Sequence, residues 1–307
     1  MVAYPCQFMN KMRKYLEDFL RDFDYPQQCQ ELMLNVFDAI RNDETKRETL
    51  DSLQEAYKTD MKVSYFVIEE YVKKISDGLP YSEYSVWLLV WQLLTKRLRE
   101  LYEEKGIPLS IWRESINDLK VKAEECKETK GIYGTFVASW FPNFFRLKRF
   151  TFGRLQFELA RFQEEEFICS DKTTLKKGDR TLAVHIPRSD MALSKENCDA
   201  SYEAAARFFA DEFIGEKTVF TCSSWMLYPK NSEILHERSN VRRFGEEYEI
   251  VTLTHNPEGQ HPDAWRIFGI ETDKTEDLPE KSFLQRAYKK YMLEGGITGR
   301  AYGVKLL

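Results

Sequence analysis

Residues 182–213 read LAVHIPRSDMALSKENCDASYEAAARFFADEF. A short apolar run, Leu182 to Ile186, ends at His185-Ile186-Pro187 and predicts a buried strand. A short polar loop follows, and Ser194 then stands at the N-cap position of a helix. Cys198, Tyr202, Ala205, Phe209 and Phe213 form the apolar stripe of that helix, which the spacing carries to Phe213. A strand that feeds a helix N-terminus turns backbone N–H groups and the positive end of the helix dipole toward one point, where an anion is favoured. What that point can do depends on the rest of the chain.

Around this stretch, residues 132–307 read as a mixed sheet with intervening helices. LKRFTFGRLQFEL (147–159) alternates, with Leu155, Phe157 and Leu159 on one face and Arg154, Gln156 and Glu158 on the other; Gly153 marks a bulge or a bend between two strand segments. Lys217 to Leu227 predicts another strand. Glu247 to Thr254 and Ala264 to Ile270 read as a hairpin around NPEGQHPD, with HPD as turn chemistry. Pro279 to Leu293 predicts a helix, and GGITGRAYG after it reads as its C-cap and a turn. Strands outnumber helices, so the sheet is mixed rather than doubly wound and parallel.

The first 131 residues have a different periodicity. Phe8 to Phe23, Leu32 to Ile40, Tyr65 to Ile75, Trp87 to Leu101 and Ile111 to Cys126 repeat their apolar residues at helical spacing. VWLLVWQLL (86–94) is apolar on more than one side, as the central helix of a bundle is, and far too short to span a bilayer. The fold class is therefore α+β: an all-α domain at 1–131 followed by a mixed-sheet domain at 132–307.

Charge and composition exclude several classes of function. The chain has 45 Lys+Arg against 50 Asp+Glu; residues 1–131 carry 20 and 24 of them, and 132–307 carry 25 and 26. Neither part is basic enough for a nucleic-acid surface. The six cysteines are scattered without a CxxC, and the four histidines (His185, His236, His255, His261) offer no spaced pair, so no metal site is expected. The N-terminus has Lys and Arg within a helical pattern, unlike a signal peptide, and a cytoplasmic protein with reduced cysteines is the expectation. There is no GxSxG, P-loop, GxGxxG after a strand or HExxH.

FGRLQFEL (152–159), VHIP (184–187), SYEAAARFF (201–209), CSSWMLYP (222–229), RSNVRRF (238–244) and LPEKSFLQRAYKKYMLEGG (278–296) occur in an order and spacing that carry a resemblance. Over about 145–300 the chain resembles the GNAT-like (acyl-CoA N-acyltransferase) C-terminal domain of a bacterial acyltransferase family that also has a helical N-terminal domain. The resemblance implies acyl-coenzyme A as co-substrate, no metal, and a small-molecule or peptide amine as acceptor. It implies pantetheine amides paired to the edge of the strand at 182–186, through Val184 and Ile186, and the pyrophosphate at 187–194. That loop, PRSDMALS, has no glycine, so Arg188 and Ser189 would meet phosphate by side chain, beside Ser194 at the helix start.

The same resemblance places His185 where a base for the attacking amine belongs; a histidine that only ties down the strand end fits as well. Glu158 would be a base through water, or a solvated strand carboxylate. Ser223, Ser224 and Tyr228, around the end of the second strand, would stand where the leaving thiolate takes a proton. The expected function is acyl transfer from acyl-coenzyme A to an amine by direct attack. The alternative is a degenerate GNAT-like binding module, which the glycine-free loop favours. Acyl chain, acceptor and oligomeric state are left open by the residues.

Overall fold

The computed structural model describes residues 3–60, 64–272 and 274–307, with side chains in the first helix from residue 11 onward. The chain divides into two compact units, Met1–Lys148 and Arg149–Leu307.

The first unit is helical: α1 (Ala3–Asp22), α2 (Gln27–Asn42), α3 (Glu44–Thr59), α4 (Tyr65–Ser76), α5 (Glu83–Glu104), α6 (Leu109–Ile116), α7 (Asp118–Lys130) and the short α8 (Pro142–Phe145). α5 is central, packed by α1 to α4, α6 and α7, and every residue from Ser85 to Thr95 is buried. Its all-round apolarity follows from having neighbours on every side. The caps are conventional: Asp43 accepts from Lys46 N–H, Ser64 from Val67 N–H and Ser82 from Tyr84 N–H. α3 is absent from the sequence reading, because its buried residues are only Leu50, Leu53 and Tyr57 in a charged segment.

The units part at 148/149 rather than at residue 131, where the helical periodicity stops. The reason is aromatic. Phe141, Phe144 and Phe145 are buried, Phe145 lies 4.7 Å from the Trp91 ring, and Tyr57 O–H donates to the Phe145 carbonyl at 2.8 Å. Gly134 adds to this, since a Cβ there would lie 2.5 Å from the backbone of Tyr84.

The second unit holds β1 (Arg149–Phe152), β2 (Leu155–Arg161), β3 (Glu166–Ile168), β4 (Thr174–Lys176), β5 (Arg180–His185), α9 (Lys195–Phe208), β6 (Val219–Ser224), α10 (Asn231–Ile234), α11 (Asn240–Glu246), β7 (Glu249–His255), α12 (Ala264–Phe268), α13 (Phe283–Leu293) and β8 (Gly299–Leu306). The main sheet runs β1-β2-β5-β6-β8-β7, with β5 and β6 parallel and the other neighbours antiparallel; β3 and β4 form a separate pair. The sheet is therefore mixed. Gly153 has φ +59° and, with Arg154, makes the two-residue turn between β1 and β2. Phe157, Phe220 and Tyr202 of α9 pack edge to face, 4.9–5.9 Å apart, and fix α9 over one face of the sheet.

Two readings near the C-terminus are corrected. Residues 264–268 form a helix, α12, ended by Gly269 at φ +72°, so NPEGQHPD does not close a hairpin. The partner of β7 is β8, in the segment read as cap and turn. Gly299 and Gly303 serve close packing there: a Cβ on Gly299 would lie 2.4 Å from the Thr254 carbonyl oxygen and 2.7 Å from the Tyr228 ring. The helix expected to reach Phe213 ends as an α-helix at Phe208, and a 3-10 turn follows it.

Among the described residues no helix is long and apolar enough to cross a membrane, and no group of His, Cys, Asp or Glu is placed to hold a metal ion. Cys29, Cys126, Cys169, Cys198 and Cys222 are buried free thiols, and burial pushes the Cys29 and Cys222 thiols up to about 12. Cys6 lies outside the described side chains.

Candidate active site

β5 and β6 pair only at Leu182↔Phe220 and Ala183↔Thr221. Beyond that point β5 stays with β2 as far as His185↔Gln156, and β6 stays with β8 as far as Ser224↔Ala301. The two parallel strands thus part from each other while each keeps its outer neighbour. Pairing between the two strands stops at Ala183, and Val184 beyond it is buried on the α9 side with Phe157.

The alternation of side chains places Gln156, Glu158 and His185 on the other face. His185 Nε2 lies 3.4 Å from Glu158 Oε1, within ion-pair range. Arg149, paired in register with Glu158, brings Nε and Nη2 to 2.9 Å from its Oε2. A buried guanidinium therefore orients a carboxylate, and the carboxylate faces an imidazole at the mouth of the gap. That order can hold one ring orientation and stabilise a cationic imidazole.

Below the gap the chain makes the turn expected from its sequence. Ile186 is half-buried, Arg188 and Ser189 are exposed, and Ser189 Oγ accepts from Met191 N–H at 3.1 Å. Ser194 caps α9 by accepting from Asn197 N–H, and the Asn197 side chain donates to the Ala192 carbonyl at 2.9 Å. A cleft beside this helix start is lined by Ser194, Lys195, Cys198, Asn240, Arg243 and Phe244, among others, with basic and acidic side chains on its walls.

Of the remaining candidates, Ser224 and Tyr228 are not joined to His185. By strand parity it is the exposed Ser223 that shares the face of His185 across the gap, two residues on from the Ala183↔Thr221 pair. Ser224 Oγ accepts from Met226 N–H at 3.1 Å and caps the 3-10 turn 225–227. Tyr228 is buried; its hydroxyl lies 2.8 Å from His255 Nδ1 and donates to the Ile297 carbonyl at 3.2 Å. Burial raises its pKa, keeping the phenol protonated.

Arg149 was not singled out from the sequence. Its signal lay in the register of the β1–β2 hairpin, because once Gly153-Arg154 is a two-residue turn, Arg149 must oppose Glu158.

Comparison with known proteins follows this geometry. The N-acyltransferase N-terminal domain matches residues 14–147, and the GNAT-like C-terminal domain matches residues 149–305. The chain belongs to the acyltransferase family that joins a helical N-terminal domain to a GNAT-like C-terminal domain. Similar solved structures include a mutant acyltransferase in complex with octanoyl-CoA and an acyltransferase in complex with decanoyl-CoA and teicoplanin. Each is 21% identical with a TM-score of 0.70, over 94% of this chain and 87% of the other. A search among curated proteins finds no match.

Proposed function

We propose that the protein transfers an acyl group from acyl-coenzyme A to an amine by direct attack. The observation that carries this reading is the parting of β5 from β6 beyond Ala183↔Thr221, with His185 at its mouth. Pantetheine amides pair with the inner edge of Val184 to Ile186, and the pyrophosphate lies in the turn 187–194 at the start of α9, met by Arg188, Ser189 and Ser194. The amine nitrogen attacks the thioester carbonyl, His185 takes its proton, and backbone N–H of β5 holds the oxyanion. Collapse breaks the C–S bond, and the thiolate takes a proton, for which the protonated Tyr228 phenol is the nearest candidate by sequence. Glu158, oriented by Arg149, acts through His185 rather than on the substrate. Ser224 keeps its capping role.

The similar structures named for octanoyl-CoA, decanoyl-CoA and teicoplanin support medium-chain acyl donors and a small-molecule or peptide acceptor. A second reading, a binding module without chemistry, is favoured by the absence of glycine in 187–194, since side chains limit backbone approach to a phosphate. Calorimetry with acetyl-, octanoyl- and decanoyl-CoA separates the two. Saturable binding accompanied by amine-dependent release of coenzyme A thiol supports the transferase; binding without release, or folded protein that binds none of the three, leaves the module.

A further inference from the structure

Arg154 occupies a hairpin turn, where a side chain is ordinarily solvated, yet it is only 6% exposed. Its backbone N–H donates to Ser201 Oγ at 2.9 Å, and that hydroxyl donates to the Asn197 carbonyl at 2.7 Å. Its Nη1 donates to the carbonyl of Pro187 at 2.7 Å, while Nε is buried and meets no acceptor. Among the described residues it forms no ion pair with a carboxylate. Pro187 opens the turn 187–194, and Asn197, Cys198 and Ser201 belong to the first two turns of α9. A guanidinium is thus enclosed between the loop and the helix start with no anion of the protein beside it.

We infer that Arg154 is a positioning residue for the pyrophosphate of the coenzyme: a buried cation, tied to the first carbonyl of the turn, whose positive charge the bound diphosphate offsets. This rests on the acyl-coenzyme A reading above. Removing a charged group from water is costly unless an opposite charge meets it, and burial here lowers the guanidinium pKa for the same reason. A diphosphate at the helix N-terminus supplies that charge. The arrangement also accounts for the missing glycines. Charge beneath the turn attracts the anion without requiring the backbone to approach it as closely as a glycine loop allows.

The test compares coenzyme A with pantetheine, which lacks the diphosphate and nucleotide, in equilibrium titrations of wild type, Arg154→Gln and Arg154→Lys. Glutamine keeps an amide donor but carries no charge; lysine keeps the charge. Arg154→Gln should weaken coenzyme A roughly tenfold and leave pantetheine unchanged, while Arg154→Lys stays within about threefold for both. Two results overturn the role of Arg154 alone: wild-type coenzyme A affinity in the glutamine variant, or equal losses for both ligands in either variant. Should the glutamine variant not fold, the lysine variant decides by its coenzyme A-to-pantetheine ratio, which the proposal requires to match wild type. Wild-type protein that binds neither ligand overturns the acyl-coenzyme A reading together with this one.

Discussion

The two units handle polar residues in opposite ways. In the helical unit the described buried polar side chains are Ser85, Gln92, Thr95, Ser115, Asp118 and Thr135, and the one carboxylate, Asp118, accepts from Trp140 Nε1 at 3.0 Å. In the sheet unit Arg149, Thr151, Arg154, Gln156, Thr181 and Thr221 are buried on the four neighbouring strands that include β5 and β6 and on the turn between two of them, while Ser201, Asn231 and Asp263 are buried in and beside the helices. Buried charge is expensive and persists where something else compensates for it. Among the described residues the helical unit buries one charged side chain, and the sheet unit buries two guanidinium groups on or beside neighbouring strands, as a site proposed for chemistry would require.

The largest effect that sharpens this contrast is expected in the helical core. Trp91 is fully buried, stacked near Trp87 and Phe145, so Trp91→Ala should cost about 3–5 kcal/mol by denaturant unfolding. Turnover per folded molecule should be unchanged; a variant folded as stably as wild type would break the comparison. Next comes Glu158→Gln, which leaves shape but removes the charge between Arg149 and His185. Turnover should fall about 10-fold to 100-fold with little change in KM for acyl-coenzyme A. An effect confined to KM would count against its orienting role.

The smallest effect is a pH dependence. Burial lowers the His261 pKa, and its Nδ1 lies 3.1 Å from Thr298 Oγ1. A depressed folded-state pKa means the unfolded chain binds the proton more readily. The contribution is fully present above the ordinary histidine pKa of about 6.5 and is lost as pH falls below it. Stability measured between pH 7.5 and 5 should decline less in His261→Gln than in wild type. Parallel curves would remove this assignment.

Much of the site was legible because its signals are local. The alternation in LQFEL, the short strand ending at His185 and the Ser194 cap each depend on a few adjacent residues. What escaped depends on pairing across distance. β8 joins β7 only after α12 and α13 intervene, and its glycines resemble a turn until the Tyr228 ring and the Thr254 carbonyl are seen against Gly299. AWRIFGI (264–270) has the apolar content of a strand, and five helical residues are too few for periodicity to decide. Arg149 and Arg154 look like ordinary polar-face residues until the hairpin register buries them.

The measurement closest to the central claim is the release of free coenzyme A thiol from octanoyl-CoA in the presence of a panel of small-molecule and peptide amines, by wild type and His185→Ala. If the parting strands form the reacting site, the substitution lowers turnover by roughly 10²–10⁴-fold. Octanoyl-CoA affinity and melting temperature should stay close to wild type, and the wild-type rate should fall on acidification as the imidazole takes a proton. Turnover per folded molecule near that of wild type, with stability lost instead, would contradict the account and leave His185 as a residue that only secures the end of β5.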